Sequence, residues 1–147
     1  MALDAVPTAV VDNCTYLRSG NLGLGAITAG TACAMTSTAR TFSMNLIGND
    51  TDPNATTNIP TDGVGKTVTR AIITSTGTGV AVSANAACNQ AAIVKTASRA
   101  TITNNCNGAI TVTVAPLAPA SPISLTYRAL DDLGAQSAAR TNTVTVQ

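Results

Sequence analysis

The sequence predicts an all-β chain folded as a two-sheet antiparallel sandwich, and three observations carry that prediction. Glu, a good helix former, is absent and every acid is Asp, whereas Thr, Val and Ile, which suit a pleated strand, are abundant. Short alternating or apolar runs recur along the chain, bounded by Gly, Pro, Asn and Asp. Within them one face is apolar and the other carries hydroxyls: Val112 and Val114 alternate with Thr111 and Thr113, and Val144 and Val146 with Thr143 and Thr145. That is the pattern of an antiparallel sheet with one buried and one wet face, and several such strands at regular spacing suggest a sandwich.

In chain order the runs predict strands over residues 6–12, 41–47, 67–75, 79–84, 91–95, 99–103, 109–114, 123–130 and 139–146. The Gly- and Leu-rich stretch 19–30 reads either as a strand pair or as an ordered loop. Pro116, Pro119 and Pro122 make a stiff connection into the run at Ile123, because proline cannot donate to a ladder and restricts the residue before it. No internal repeat is present, so the 147 residues read as one unit rather than an array.

One domain of this length buries a core without needing a metal. Its aromatics are only Tyr16, Phe42 and Tyr127, so the core is aliphatic and thin. Net charge is close to zero and the eight cations are scattered, which excludes a nucleic-acid or membrane-surface patch. No apolar run reaches transmembrane length, and the start lacks the pattern of a signal peptide. Met1 reads as a start added to an excised or mature segment, and the last strand stops at Gln147 as in a domain cut from a longer chain.

Catalytic chemistry lacks parts. Without His there is no imidazole base to activate a hydroxyl or thiol. An Asp pair alone is a weak glycosidase signal where aromatic sugar platforms are scarce. Gly63-Val-Gly-Lys-Thr67 resembles the end of a phosphate-binding loop, but the motif's first glycine would fall at Pro60 and a strand follows where a helix is needed. Asn13, Asn49 and Asn54 each open a glycosylation sequon, a pattern expected by chance in so Thr-rich a chain. The expectation is a non-enzyme. Four cysteines with no His and no Cys-x-x-Cys pair make poor zinc ligands and good disulfides, which points to secretion. Cys14, Cys33, Cys88 and Cys106 allow three connectivities, and spacing alone leaves all three open.

Three marks occur in order along the chain: Val6-Pro-Thr-Ala-Val-Val-Asp12, then Leu46-Ile-Gly-Asn-Asp-Thr-Asp-Pro53, then Leu125-Thr-Tyr-Arg-Ala-Leu-Asp-Asp-Leu-Gly134 running into Thr143-Val-Thr-Val146. In that order they resemble the bacterial Ig-like and cadherin-like repeat domains of large secreted and cell-surface proteins. The resemblance implies a single Ig-like antiparallel β-sandwich over residues 1–147, with about seven to nine strands and Greek-key connections. The missing Trp excludes an antibody-type domain. The pattern is interrupted at residues 13–40, a Cys-containing insertion, and again between Cys88 and Cys106. Because each departure holds two cysteines, the resemblance favours the local pairs Cys14–Cys33 and Cys88–Cys106.

The resemblance further implies calcium, held between successive domains by acidic side chains. It carries that role onto Asp12, Asn49, Asp50 and Asp52, with Asp131 and Asp132 as weaker ligands. Such an oxygen cluster suits a cation that takes six to eight oxygen ligands. The alternative at both clusters is turn chemistry, since Asn and Asp side chains bond nearby backbone amides. The implied function is a structural spacer, stalk or scaffold unit, whose partners are neighbouring domains of its parent chain. Two rivals are a subunit assembling into a homo-oligomer or fibre by strand exchange, and an adhesin binding a ligand through the 14–33 insertion. Each places the chain outside the cell, secreted or at the cell surface, with no nucleic acid and no membrane insertion.

Overall fold

The computed structural model describes residues 7–11, 13–19, 24–29, 33–35, 40–48, 50, 68–116 and 118–146. Among these, ten strands form: β1 (Asn13–Ser19), β2 (Leu24–Ala29), β3 (Cys33–Met35), β4 (Thr41–Asn45), β5 (Val68–Thr76), β6 (Val80–Val82), β7 (Ala100–Asn104), β8 (Ala109–Val114), β9 (Ile123–Asp131) and β10 (Arg140–Val146). They make two five-stranded sheets, in the orders β2-β1-β10-β9-β5 and β3-β4-β8-β7-β6. The chain is an all-β sandwich. Within it, β4-β8-β7 and β10-β9-β5 follow the B-E-D and G-F-C orders of an Ig-like fold. Both sheets are mixed, because β1 pairs with β10 in parallel and β6 with β7 in parallel.

Period-two alternation determines what the sheets bury. Ile110, Val112 and Val114 of β8 face inward, as do Ile123, Leu125, Tyr127 and Ala129 of β9 and Val144 and Val146 of β10. All three aromatics are fully buried, and Tyr16 of β1 stacks on Phe42 of β4 across the two sheets, with centroids 5.9 Å apart and planes at 28°. Each large apolar side chain so buried contributes about 1.5–3 kcal/mol, which lets a few aromatics anchor an otherwise aliphatic core. The hydroxyl faces look outward and pair across strands, Thr126 with Thr141 at 2.8 Å and Thr41 with Thr113 at 3.3 Å.

Of the two readings left open for 19–30, the strand pair holds for the described residues, since β1 and β2 run antiparallel, and β3 joins the opposite sheet. Two expectations shift. No strand runs through 7–11, because the Val10 amide and carbonyl are taken by side chains instead of a ladder. Residues 91–95 supply a single bridge, Ile93 to Val82; only Ile93 packs against the core, and Val94 is 91% exposed, so the run has too little buried surface to build a strand on.

Both cysteine pairs are local. Cys14–Cys33 joins β1 of one sheet to β3 of the other, with Cα atoms 6.3 Å apart. Cys88–Cys106 ties a single 3-10 turn (Ala86–Cys88) to the turn between β7 and β8, with Cα atoms 5.2 Å apart. Two disulfides mark an oxidising compartment. Among the described residues no helix is long and apolar enough to cross a membrane, which says nothing about a β-barrel.

Candidate functional site

Three stretches far apart in sequence meet at the hydroxyl of Tyr127. That ring projects inward from β9, so its hydroxyl can reach only groups at the rim of the core. After β4 the chain turns: Asn45 Oδ1 accepts the Ile47 N–H at 3.1 Å, Leu46 N–H donates to Gly108 O at 2.8 Å, and Asp50 N–H donates to Ile47 O at 3.0 Å. This turn carries the Asp50 carboxylate to the Tyr127 hydroxyl, which lies 3.0 Å from Oδ2 and 3.2 Å from Oδ1. The preceding segment completes the node. Val10 N–H donates to Asp50 Oδ1 at 2.8 Å, and Val10 O lies 3.0 Å from the same tyrosine hydroxyl. One residue earlier, Ala9 O accepts from Arg140 Nε at 3.1 Å.

Each of the three sequence marks thus supplies one member: Val10, Asp50 and Tyr127. The tyrosine carries one proton and faces acceptors on both Asp50 and Val10. A neutral Asp50 would relieve that mismatch by donating to the tyrosine oxygen while the tyrosine donates to Val10. Burial pushes the Asp50 carboxyl above its ordinary 3.8, and the hydrogen bonds from Val10 and Tyr127 pull partly the other way. Of the other expected calcium ligands in this region, Asp12, Asn49 and Asp52 lie outside the described residues.

Asp131 and Asp132 stand at the far end of β9, in the turn to β10. Asp131 Oδ1 accepts the N–H of Leu133 and of Ala135, both at 2.9 Å, and Asp131 O accepts from Gly134 N–H at 3.1 Å. This is the turn chemistry of an aspartate closing a hairpin, helped by Gly134 at φ +92°. Asp131 is fully buried, and its Oδ2 has no hydrogen-bond partner. Among the described residues no three Asp or Cys side chains gather as a metal site would require.

A second polar centre has no counterpart among the expected site residues. Gln90 and Asn104 are almost wholly buried. The Gln90 amide accepts from Ile73 N–H through Oε1 and donates to Ile73 O through Nε2, each at 2.9 Å. Asn104 Nδ2 donates to Gln90 Oε1 at 2.9 Å and to Ala71 O at 2.8 Å, while its Oδ1 accepts Cys106 N–H at 3.0 Å. Asn85 Nδ2 donates to Asn104 O at 2.9 Å. The network sits between the Cys88–Cys106 bridge and β5. One signal for it was present in the sequence: the alternation that buries Ala100 and Ile102 also puts Asn104 on the inner face.

No protein-family model, curated protein or solved structure matches this chain.

Proposed function

We propose that this sandwich is a non-catalytic structural module, a spacer, stalk or scaffold unit of a bacterial extracellular or cell-surface protein, that transmits tension between neighbouring domains. The observation that carries the reading is the parallel pairing of β1 with β10, the first and last strands among the described residues. Asn13, Cys14, Thr15 and Tyr16 lie opposite Thr143, Val144, Thr145 and Val146. Tension applied ahead of β1 and beyond β10 pulls along both strand axes in opposite directions, so the evenly spaced rungs of a parallel pair carry load together in shear. Rungs pulled one at a time would open like a zipper. Upstream, Val10 to Asp50 and Ala9 to Arg140 add further attachments. Stretching the oxidised chain between handles on its two ends should give one unfolding peak at high force. Gradual opening at low force would remove the mechanical reading.

Calcium enters as a stiffening ion at Asp50, with Asp12, Asn49 and Asp52 beside it in sequence. A partly buried carboxylate whose ionised form is penalised by desolvation is a group that a bound divalent cation would stabilise. Calcium bound only by the folded state raises the thermal midpoint by mass action. Metal-stripped protein should therefore melt several degrees higher in millimolar calcium, and Asp50→Asn should abolish the shift. No shift in the parent protein would leave Asp50 a purely internal tie.

A further inference from the structure

Sheet edges are where a β-sandwich is exposed to unwanted pairing, because the outermost strand presents unpaired N–H and C=O groups. Among the described residues β5 is such a strand, with β9 as its one ladder neighbour. Several of its backbone groups are nonetheless occupied by side chains. Gln90 meets both the N–H and the C=O of Ile73 at 2.9 Å, so its primary amide takes the place of a peptide unit on an adjoining strand. Asn104 Nδ2 covers Ala71 O at 2.8 Å, and Lys95 Nζ covers Thr76 O at 2.7 Å and Gly77 O at 3.2 Å. What lies behind this cover is Ala71-Ile-Ile-Thr-Ser-Thr76, uncharged, without proline, and β-branched at four of its positions. That is the composition natural edge strands avoid when left open.

The cover is held from outside the sheet. Gln90 follows Cys88 by two residues, and Cys88–Cys106 fixes this turn to the β7–β8 turn, which Asn104 at the end of β7 leads into. Asn89, between them, has φ 56°, and Cys106 has φ 63°, left-handed backbone that non-glycine residues keep only when their surroundings enforce it.

We propose that Gln90, locked in place by the Cys88–Cys106 disulfide, is a redox-gated edge guard, and that β5 behind it is a latent pairing edge for β5 of a second copy of this chain. A dithiol opens the gate: two electrons and two protons pass to the sulfurs of Cys88 and Cys106, their S–S bond breaks, and the dithiol closes into its own disulfide. The segment carrying Gln90 then leaves Ile73, and two β5 edges pair antiparallel about a two-fold axis. A closed dimer results because each copy offers the same edge. The inference goes beyond the stalk reading and does not depend on it.

Sedimentation at several concentrations tests it on the oxidised chain, the chain reduced with dithiothreitol, and a Gln90→Met variant with both disulfides intact. Reduced chain and Gln90→Met should each move toward twice the oxidised mass as concentration rises. In dilute, monomeric samples their Ile73 amide should exchange hydrogen about tenfold faster than in the oxidised chain. Adding Thr74→Lys, a charge on an exposed β5 residue, should return Gln90→Met to the original mass. If Gln90→Met loses its β-sheet circular dichroism, Gln90→Glu decides instead, because it keeps the acceptor for Ile73 N–H and loses the donor to Ile73 O, together with the one to Ala91 O. An unchanged mass in a folded Gln90 variant, or a dimer indifferent to Thr74→Lys, overturns the guard. Dimerisation of the variant but not of the reduced chain overturns the redox gate.

Discussion

Asp50 stands between two opposing effects: Val10 N–H and the Tyr127 hydroxyl favour its ionised form, while burial disfavours it more. Since its folded value is raised above 3.8, the group's contribution to stability is fully present below that value and is lost as pH rises through the folded one. Asp50→Asn keeps an acceptor for Val10 and offers Tyr127 a donor, so its stability lacks this pH dependence. The stability of the parent minus that of Asp50→Asn, from urea unfolding across pH 3 to 7, should fall as pH rises; a flat or rising difference would contradict the burial argument. Asp50→Ala should instead cost about 1 kcal/mol, because the donors it serves are left to solvent or to one another. A second residue-scale test uses two glycines with the same backbone need. Gly108 has φ +88° and a Cβ there would overlap the Ile47 side chain, whereas Gly134 at φ +92° has open space around it. Gly134→Ala should cost about 1 kcal/mol for backbone strain alone, and Gly108→Ala about 2 kcal/mol or more. Equal shifts in urea midpoint would show that Ile47 yields freely.

At the scale of elements, strands were legible where alternation and burial coincide. The run 109–114 is β8 with the same bounds, and the inward Val and outward Thr of β8 and β10 lie as the pattern indicates. Legibility failed where apolar composition was mostly left unburied, as at 91–95, where Ile93 meets the core but Val94 lies in solvent. It failed also at 7–11, where contacts to residues 40 and 117 positions away replace a ladder. The same limit applies to the candidate site. Asp50 was readable as an oxygen donor after a strand, but its convergence with Val10 and Tyr127 is a product of topology that no local pattern encodes. Asn104 shows a finer case, because strand parity revealed that it points inward without revealing Gln90 as its partner. Asn104→Ala should cost about 3 kcal/mol, since it leaves Ala71 O and Cys106 N–H buried or half-buried without the amide. The exposed neighbour Asn105, bonded to Thr111 at 3.0 Å, should change stability by well under 1 kcal/mol when cut to Ala. Comparable losses at the two positions, by urea unfolding, would mean that the buried network adds nothing beyond a surface contact.

For the whole molecule, the two bridges determine both how stable the sandwich is and how far it can be stretched. Each closes a loop, with sequence separations of 19 and 18, and should contribute about 3 kcal/mol through the unfolded chain. They differ in place. Cys14–Cys33 crosses between sheets beside the shear-loaded pair of β1 and β10, so load reaching Cys14 passes directly to β3 of the other sheet as well as along β1. Cys88–Cys106 lies away from both terminal strands and leaves the loaded rungs unaltered. When the oxidised chain unfolds under tension, the residues inside both loops cannot extend, and each loop withholds about 60 Å at roughly 3.4 Å per residue. Opening both bridges should therefore lengthen the unfolded chain by about 120 Å. Replacing Cys14 and Cys33 by Ser should recover about half of that length and lower the unfolding force, whereas replacing Cys88 and Cys106 should recover the other half and leave the force nearly unchanged. Equal loss of force from either pair would mean that tension spreads through the core instead of entering at β1, and the parallel β1–β10 pair would then be an element of the sandwich with no special mechanical part.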